Sequence, residues 1–253
     1  MVLKATVNCD MGEGFSLYSM GDDAALMPLI HLANVACGFH ASDFTVMSET
    51  VQLAKTHGVR VGSHPSLPDR QGFGRREMKM TPQEFADCIT YQTGALYGFL
   101  KTHGMEMSHI KPHGSAYGMC ARDPELAKAA VGVAKIFGVA FMGLAGTQHE
   151  VAAKELGVPF LAEWFADMEY TPEGQLIITK KHDPVPADEV RRRVIKCLID
   201  GQVTTTNGFV PLGDDLSEVT ICVHSDTPGA EDIAKIVKSL VDEINTTGKA
   251  STA

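Results

Sequence analysis

Val7-Asn8-Cys9-Asp10-Met11-Gly12-Glu13-Gly14-Phe15 decides how this chain is read. An apolar run over residues 2–7 passes through a small polar residue into an acid, then breaks at Gly12-Glu13-Gly14. That is the pattern of a buried strand feeding a tight loop, so Asp10 and Glu13 are expected at a strand's C-terminal end. Later segments repeat the order of buried strand, His or Asp, Gly and helix. Their loops are expected to converge on one rim.

Outward from this stretch the alternation is regular. Residues 22–27 suggest a short helix and 31–37 a second strand ending in Gly38-Phe39-His40. Ser42 or Asp43 can cap a helix whose Phe44, Met47, Val51 and Ala54 share a face, closed by Gly58. A third strand over 59–62 leads to Ser63-His64-Pro65. Residues 66–80, with Gly72 and Gly74 as hinges, are the longest loop and a candidate lid. Thr81-Pro82-Gln83-Glu84 combines a capping box with proline at the first helical position, and that helix is expected to reach Gly104.

A fourth strand begins at His109 and ends in Lys111-Pro112-His113-Gly114. Asp123-Pro124 opens a helix ending at Gly138, residues 139–144 form a fifth strand, and 148–156 a short helix. Residues 158–165 supply a sixth strand leading to Asp167. A helix from Pro186 or Ala187 to Ile199 and a hairpin about Asn207-Gly208 precede a seventh strand, 220–224. A final amphipathic helix starts near Asp226-Thr227-Pro228 and buries Ile233, Ile236, Val237, Leu240, Val241 and Ile244. Short apolar strands alternating with helices imply parallel pairing through right-handed crossovers. An α/β barrel of seven or eight strands is the first expectation, and a doubly wound open sheet the second.

The 253 residues suffice for one large core and carry no low-complexity or charge-block segment, so a single domain is expected over 1–253, the last eight residues forming a disordered tail. A net charge of -9 excludes the basic stripe of nucleic-acid or anionic-membrane binders and leaves small molecules or proteins as partners. With no secretory pattern at the start and no long apolar run, a cytoplasmic location is expected. Cys9, Cys37, Cys88, Cys120, Cys197 and Cys222 are scattered, form no C-x-x-C pair and read as reduced thiols.

In a parallel barrel the chemistry sits at the C-terminal strand ends. Asp10 and Glu13, His40 and Asp43, His64 and Asp69, Lys111 and His113, Glu163 and Asp167, and His224 and Asp226 fall there. Singly each has a plain structural explanation: Asp43 and Asp226 as helix caps, Asp10 or Glu13 as acceptors of loop amides, a lone histidine as a core residue. Histidine at several successive strand ends argues for more. Two or three His with an Asp can bind a divalent metal and activate water, although ligands dispersed this widely are less specific than H-E-x-x-H. Neither a P-loop nor G-x-S-x-G occurs, and Gly12-Glu13-Gly14 puts an anion where a phosphate would sit. Lys111, Arg70, Arg75 and Arg76 can neutralise a phosphate or carboxylate. Carboxylate or imidazole catalysis on water fits this set.

Asn8-Cys9-Asp10-Met11-Gly12-Glu13, Asn34-Val35-Ala36-Cys37-Gly38-Phe39-His40-Ala41-Ser42-Asp43, His64-Pro65-Ser66-Leu67-Pro68-Asp69-Arg70-Gln71-Gly72-Phe73-Gly74-Arg75-Arg76, Lys111-Pro112-His113-Gly114, Phe165-Ala166-Asp167 and His224-Ser225-Asp226 resemble the LamB/YcsF lactam-utilisation family, which includes the A-subunit of the ATP-hydrolysing 5-oxoprolinase. The resemblance runs from about residue 5 to 240 and covers Tyr91-Gln92-Thr93-Gly94-Ala95-Leu96 as well. It implies a seven-stranded α/β barrel of the glycoside hydrolase/deacetylase type. It also implies ATP-dependent opening of 5-oxo-L-proline to L-glutamate, with ATP and Mg2+ held here or by one of two partner subunits, a homo-oligomer staying open. Met168 and Ser225 stand where arginine and glycine are expected, and the first removes an anion clamp that a neutral lactam does not need.

Asp10 or Glu13 is then expected as general base, His64 and His113 as donors to the oxyanion or leaving nitrogen, and Lys111 or Arg70 as phosphate or carboxylate clamp. Asn8, His40, Asp43, Asp69, Arg70, Arg75, Asp167, His224 and Asp226 are expected to bind substrate or phosphate. Two further readings remain: a metal-dependent amidase acting alone, with Asp10, His40 and His64 as ligands, and a non-catalytic binding subunit.

Overall fold

The computed structural model describes residues 3–177, 185–213, 216 and 218–250. Strands β1 (Lys4–Met11), β2 (Leu32–Ala36), β3 (Arg60–His64), β4 (Met107–Ile110), β5 (Ala140–Leu144) and β6 (Phe160–Phe165) come first. Two hairpins follow, β7 (Glu169–Tyr170) with β8 (Leu176–Ile177) and β9 (Gln202–Thr205) with β10 (Gly208–Pro211), and β11 (Glu218–Val223) is last. The helices are α1 (Asp23–Leu26), α2 (Phe44–His57), α3 (Pro82–Thr102), α4 (Gly114–Arg122), α5 (Pro124–Phe137), α6 (Gln148–Leu156), α7 (Ala187–Asp200) and α8 (Ala230–Thr247). Among the described residues no helix is long and apolar enough to cross a membrane.

Seven strands close into a barrel in the order β1-β11-β6-β5-β4-β3-β2. Closure is explicit at β1, which pairs in parallel with β11 through Val7 and Ile221 and with β2 through Asp10 and Asn34. The barrel expectation holds, and closure removes the open-sheet alternative. The hairpin about Asn207-Gly208 is antiparallel as expected, with Val203 opposite Val210.

Local chemistry explains the helix ends. The Asp43 carboxylate accepts from the Thr45 and Val46 amides and starts α2, and Gly58 ends it at φ 68°. Thr81 and Glu84 satisfy each other's backbone amides at the start of α3. Outside the barrel, α8 buries Ile233, Val237, Leu240, Val241 and Ile244, each such side chain contributing about 1.5–3 kcal/mol, while Ile236, also expected there, is only half-buried against them. Three other expectations change. Phe44 is 77% exposed, and Thr50 joins Met47, Val51 and Ala54 on the buried face. Residues 114–122 form α4, a helix with no side-chain cap to announce it. Of the expected tail, Thr246 and Thr247 belong to α8 and Gly248 follows as its left-handed cap, while 251–253 lie outside the described residues.

The barrel interior is polar near the strand ends. Asn8 Nδ2 donates to Thr220 Oγ1 (2.9 Å), Asn34 Nδ2 to Asn8 Oδ1 (2.8 Å), and His109 Nε2 approaches Asn34 Oδ1 at 2.7 Å. The His109 ring occupies space that Gly62 on β3 leaves open, because a methyl on Gly62 would land on the imidazole. Gly62→Ala is expected to destabilise the chain by about 1–3 kcal/mol through overpacking, read by urea denaturation. An unchanged midpoint would contradict this packing.

Candidate active site

The C-terminal strand ends surround a cleft. Asp10, His64, Arg75, Lys111, His113 and His224 line it, with Tyr117, Phe165, Met168 and Leu176 as the apolar wall. At its floor Lys111 Nζ lies 3.0 Å from Asp10 Oδ1 and 2.8 Å from Glu163 Oε1, all three side chains being buried. Asn34 Nδ2 also donates to Asp10 Oδ1 (2.8 Å). Burial pushes the Asp10 carboxyl up, but neighbouring His64 and Lys111 outweigh it and hold it well below the usual carboxylate range. Burial likewise opposes the Lys111 charge, and Asp10, Cys222 and Glu163 overcome it, keeping the ammonium firmly protonated.

His224 lies beside Asp10 in the cleft lining, its Nε2 4.0 Å from Asp10 Oδ2. Its Nδ1 meets Asp167 Oδ1 at 3.1 Å, and its ring stacks on Phe165. Burial works against its charge, but Asp167 prevails and raises the imidazole to about 9. At neutral pH the cleft therefore presents an ionised carboxylate beside an imidazolium.

Behind the wall lies a second group. His40 Nε2 is 3.0 Å from Glu13 Oε1, and the His40 and His113 rings stack at 3.8 Å. Burial, then the charge of Asp10, raises Glu13 to about 8; burial, then other imidazoles, hold His40 and His113 well below the ordinary histidine range. Glu13 and His40 do not line the cleft. Gly12, at φ 69°, turns the chain after β1 so that the two acids take different positions.

The other expected site residues divide by position. Asn8 lies beneath Asp10 in the barrel's polar layer. Asp226 accepts from Arg75 Nη2 (2.8 Å) and orients that guanidinium at the rim. Asp43 and Asp69 are structural: the first caps α2, and the second accepts from Gly72 N and pairs with Arg76. Arg70 donates to the Gly38 and Ser42 carbonyls and covers the Phe15 ring, so it clips two loops, and Arg75 is the arginine in the cleft.

The long loop is tied down across the rim. Ser115 N donates to Gly74 O (2.9 Å), and His113 Nε2 donates to Phe73 O (2.9 Å). Lys111 has acceptors at Asp10, Glu163 and Asn8 (3.4 Å), which leaves it to hold the floor and not to clamp an anion. Sequence reasoning missed Asn34, whose polar side chain inside an apolar strand was the available signal, and Tyr117, which lies on the unannounced α4.

This is an enzyme-like cleft built on a parallel barrel, and comparison with known proteins gives it a family. The sequence signature of the LamB/YcsF family matches residues 5–252, and the chain belongs to that family. It is 48% identical over 244 residues to the lactam utilization protein lamB of Emericella nidulans, covering 96% of each chain. It is 42% identical over 246 residues to the 5-oxoprolinase A-subunit of Thermococcus onnurineus, covering 95% of each. The crystal structure of a lactam utilization protein from Thermus thermophilus superposes with a TM-score of 0.86 at 35% identity, over 95% of this chain and 97% of that one.

The His224–Asp167 pair carries a pH signature. Because folding raises His224 from the ordinary value near 6.5 to about 9, its stabilisation is complete below 6.5 and is lost as pH rises through 9. In urea denaturation at several pH values, Asp167→Asn is expected to lower stability most at pH 6 and least at pH 10. A difference independent of pH would contradict the pairing.

Proposed function

We propose that this chain is the ring-opening subunit of an ATP-dependent lactamase acting on 5-oxo-L-proline or a close relative, assembled with two partner subunits. Its LamB/YcsF membership and its likeness to proteins named as the A-subunit of 5-oxoprolinase support the substrate class. The observation that carries the chemistry is the ionised Asp10 beside the protonated His224 in the lining of one cleft.

The described residues do not fit a nucleotide. Lys111 is fully engaged at the floor, Arg75 is left as the guanidinium at the rim, and the loop after β1 carries the acid Glu13 in place of a glycine-rich phosphate cradle. In this reading a partner binds ATP with Mg2+, and this chain acts on a lactam already phosphorylated on its amide oxygen.

Phosphorylation makes the ring carbon electrophilic enough for a weak base. Asp10, with its low proton affinity, is suited to orient the attacking water and accept its proton in that case. Addition of water gives a tetrahedral carbon bearing hydroxyl, phosphate and ring nitrogen. Loss of phosphate would regenerate the lactam and waste the ATP. Proton transfer from His224 Nε2 to the ring nitrogen breaks the C–N bond instead, leaving an acyl phosphate that a second water converts to the amino acid and inorganic phosphate. Arg75 at the rim supplies N–H donors to the phosphoryl or carboxylate oxygens.

With partner subunits added, Asp10→Asn is expected to lower glutamate release by about 10²–10⁴-fold. His224→Gln is expected to lower the glutamate formed per ATP hydrolysed, because the intermediate then collapses toward lactam. Wild-type turnover in the first variant and a wild-type ratio in the second would overturn the assignment.

A further inference from the structure

We infer that His64, His113 and Glu13 form a divalent-cation site of the zinc class in the wall between the cleft and the buried Glu13–His40 pair. The argument rests on where the ring hydrogens must be. His64 Nδ1 lies 2.7 Å from the Lys111 carbonyl, and His113 Nε2 lies 2.9 Å from the Phe73 carbonyl. A carbonyl only accepts, so both of these nitrogens carry the hydrogen. The opposite nitrogens, His64 Nε2 and His113 Nδ1, face each other at 2.9 Å, too close for a hydrogen on each, so at least one presents a lone pair.

Carboxyl oxygens surround the same point. Glu13 Oε1 is 3.5 Å from His113 Nδ1, and Asp10 Oδ2 is 3.2 Å from His64 Nε2. A lone pair facing a ring nitrogen beside carboxyl oxygens in a buried space calls for a positive charge between them, supplied by a metal ion or by a shared proton. A ring nitrogen bound to metal with its other N–H held by a backbone carbonyl is the usual supporting arrangement for such ligands, and both histidines have it. Donor atoms about 2.1 Å from a tetrahedral ion lie about 3.4 Å apart, close to the 2.9 Å and 3.5 Å separations here.

His40 is assigned a supporting role. The donor atoms of Glu13, His40, His64 and His113 all fall within 4.8 Å of one another, but His40 Nδ1 is buried with no hydrogen-bond partner among the described residues. Metal on Nε2 would force a hydrogen onto Nδ1 and strand it. With the hydrogen on Nε2, His40 instead donates to Glu13 Oε1 at 3.0 Å and orients that ligand. Two imidazoles and one carboxylate would leave a fourth position open, and His64, His113 and Asp10 all line the cleft. Of the sequence-based ligands Asp10, His40 and His64, this retains His64 as a ligand and moves the other two to neighbouring roles.

The site shares the proposed cleft, but its test needs neither lactam nor ATP, so its failure is separable from failure of that reading. Full-length chain stripped with chelator and titrated with Zn2+ alone by calorimetry is expected to bind one ion. His113→Ala should abolish that binding, His40→Ala should weaken it by roughly 10–100-fold, and the exposed His57→Ala should leave it unchanged. In wild-type protein, independent of any variant's folding, Zn2+ should shift the 15N resonances of His64 Nε2 and His113 Nδ1. Absence of stoichiometric binding, or retention of wild-type affinity in a folded His113→Ala, would overturn the site and leave a shared proton between the two rings.

Discussion

Lys111, buried between Asp10 and Glu163, is the interaction on which the site depends. An ammonium removed from water is stable there only because two carboxylates flank it, and each carboxylate is tolerable only because of the ammonium. The three residues come from the ends of different strands, so closure of the barrel assembles the charge cluster. Asn8 and Asn34 extend it downward as a hydrogen-bonded layer that joins β1 to β2 and β11.

This floor divides the chemistry above it. Asp10 is ionised because Lys111 and His64 are beside it, and His224 is protonated because Asp167 is. The two opposite charges stand 4.0 Å apart, side by side in the lining of one cleft, each tied to its own partner. For Glu13, two positions beyond the strand, burial and the Asp10 charge outweigh His64 and Arg75, and it keeps a raised proton affinity. One strand end thus supplies two carboxyls with different states, and the difference arises from neighbours and not from residue type.

Much of this was legible in the sequence because buried strands and their terminal His and Asp residues are short-range patterns. Asp10, His64, Lys111, His113 and His224 were all placed at the rim by that pattern, and they line one cleft. The pattern does not specify direction after a turn. It could not separate Asp10 from Glu13, because the positive φ of Gly12 sends the second acid behind the wall. Nor could it choose among the arginines, since Phe73 (φ 53°) and Gly74 (φ 66°) reverse the loop between Arg70 and Arg75 and put only the latter in the cleft. Helix α4 was invisible because His113 caps it without a side-chain hydrogen bond. The LamB/YcsF motifs identified the family but not which of their residues touch a substrate.

The most direct test of the account is the titration of Asp10, followed by carboxyl 13C NMR in wild-type protein and in Lys111→Met. The pairing predicts that wild-type Asp10 stays ionised to well below about 3.9, the ordinary aspartate value, and that losing the ammonium moves its titration upward. A wild-type Asp10 that titrates at or above the ordinary value, or one indifferent to Lys111, would contradict the central role of this buried pair.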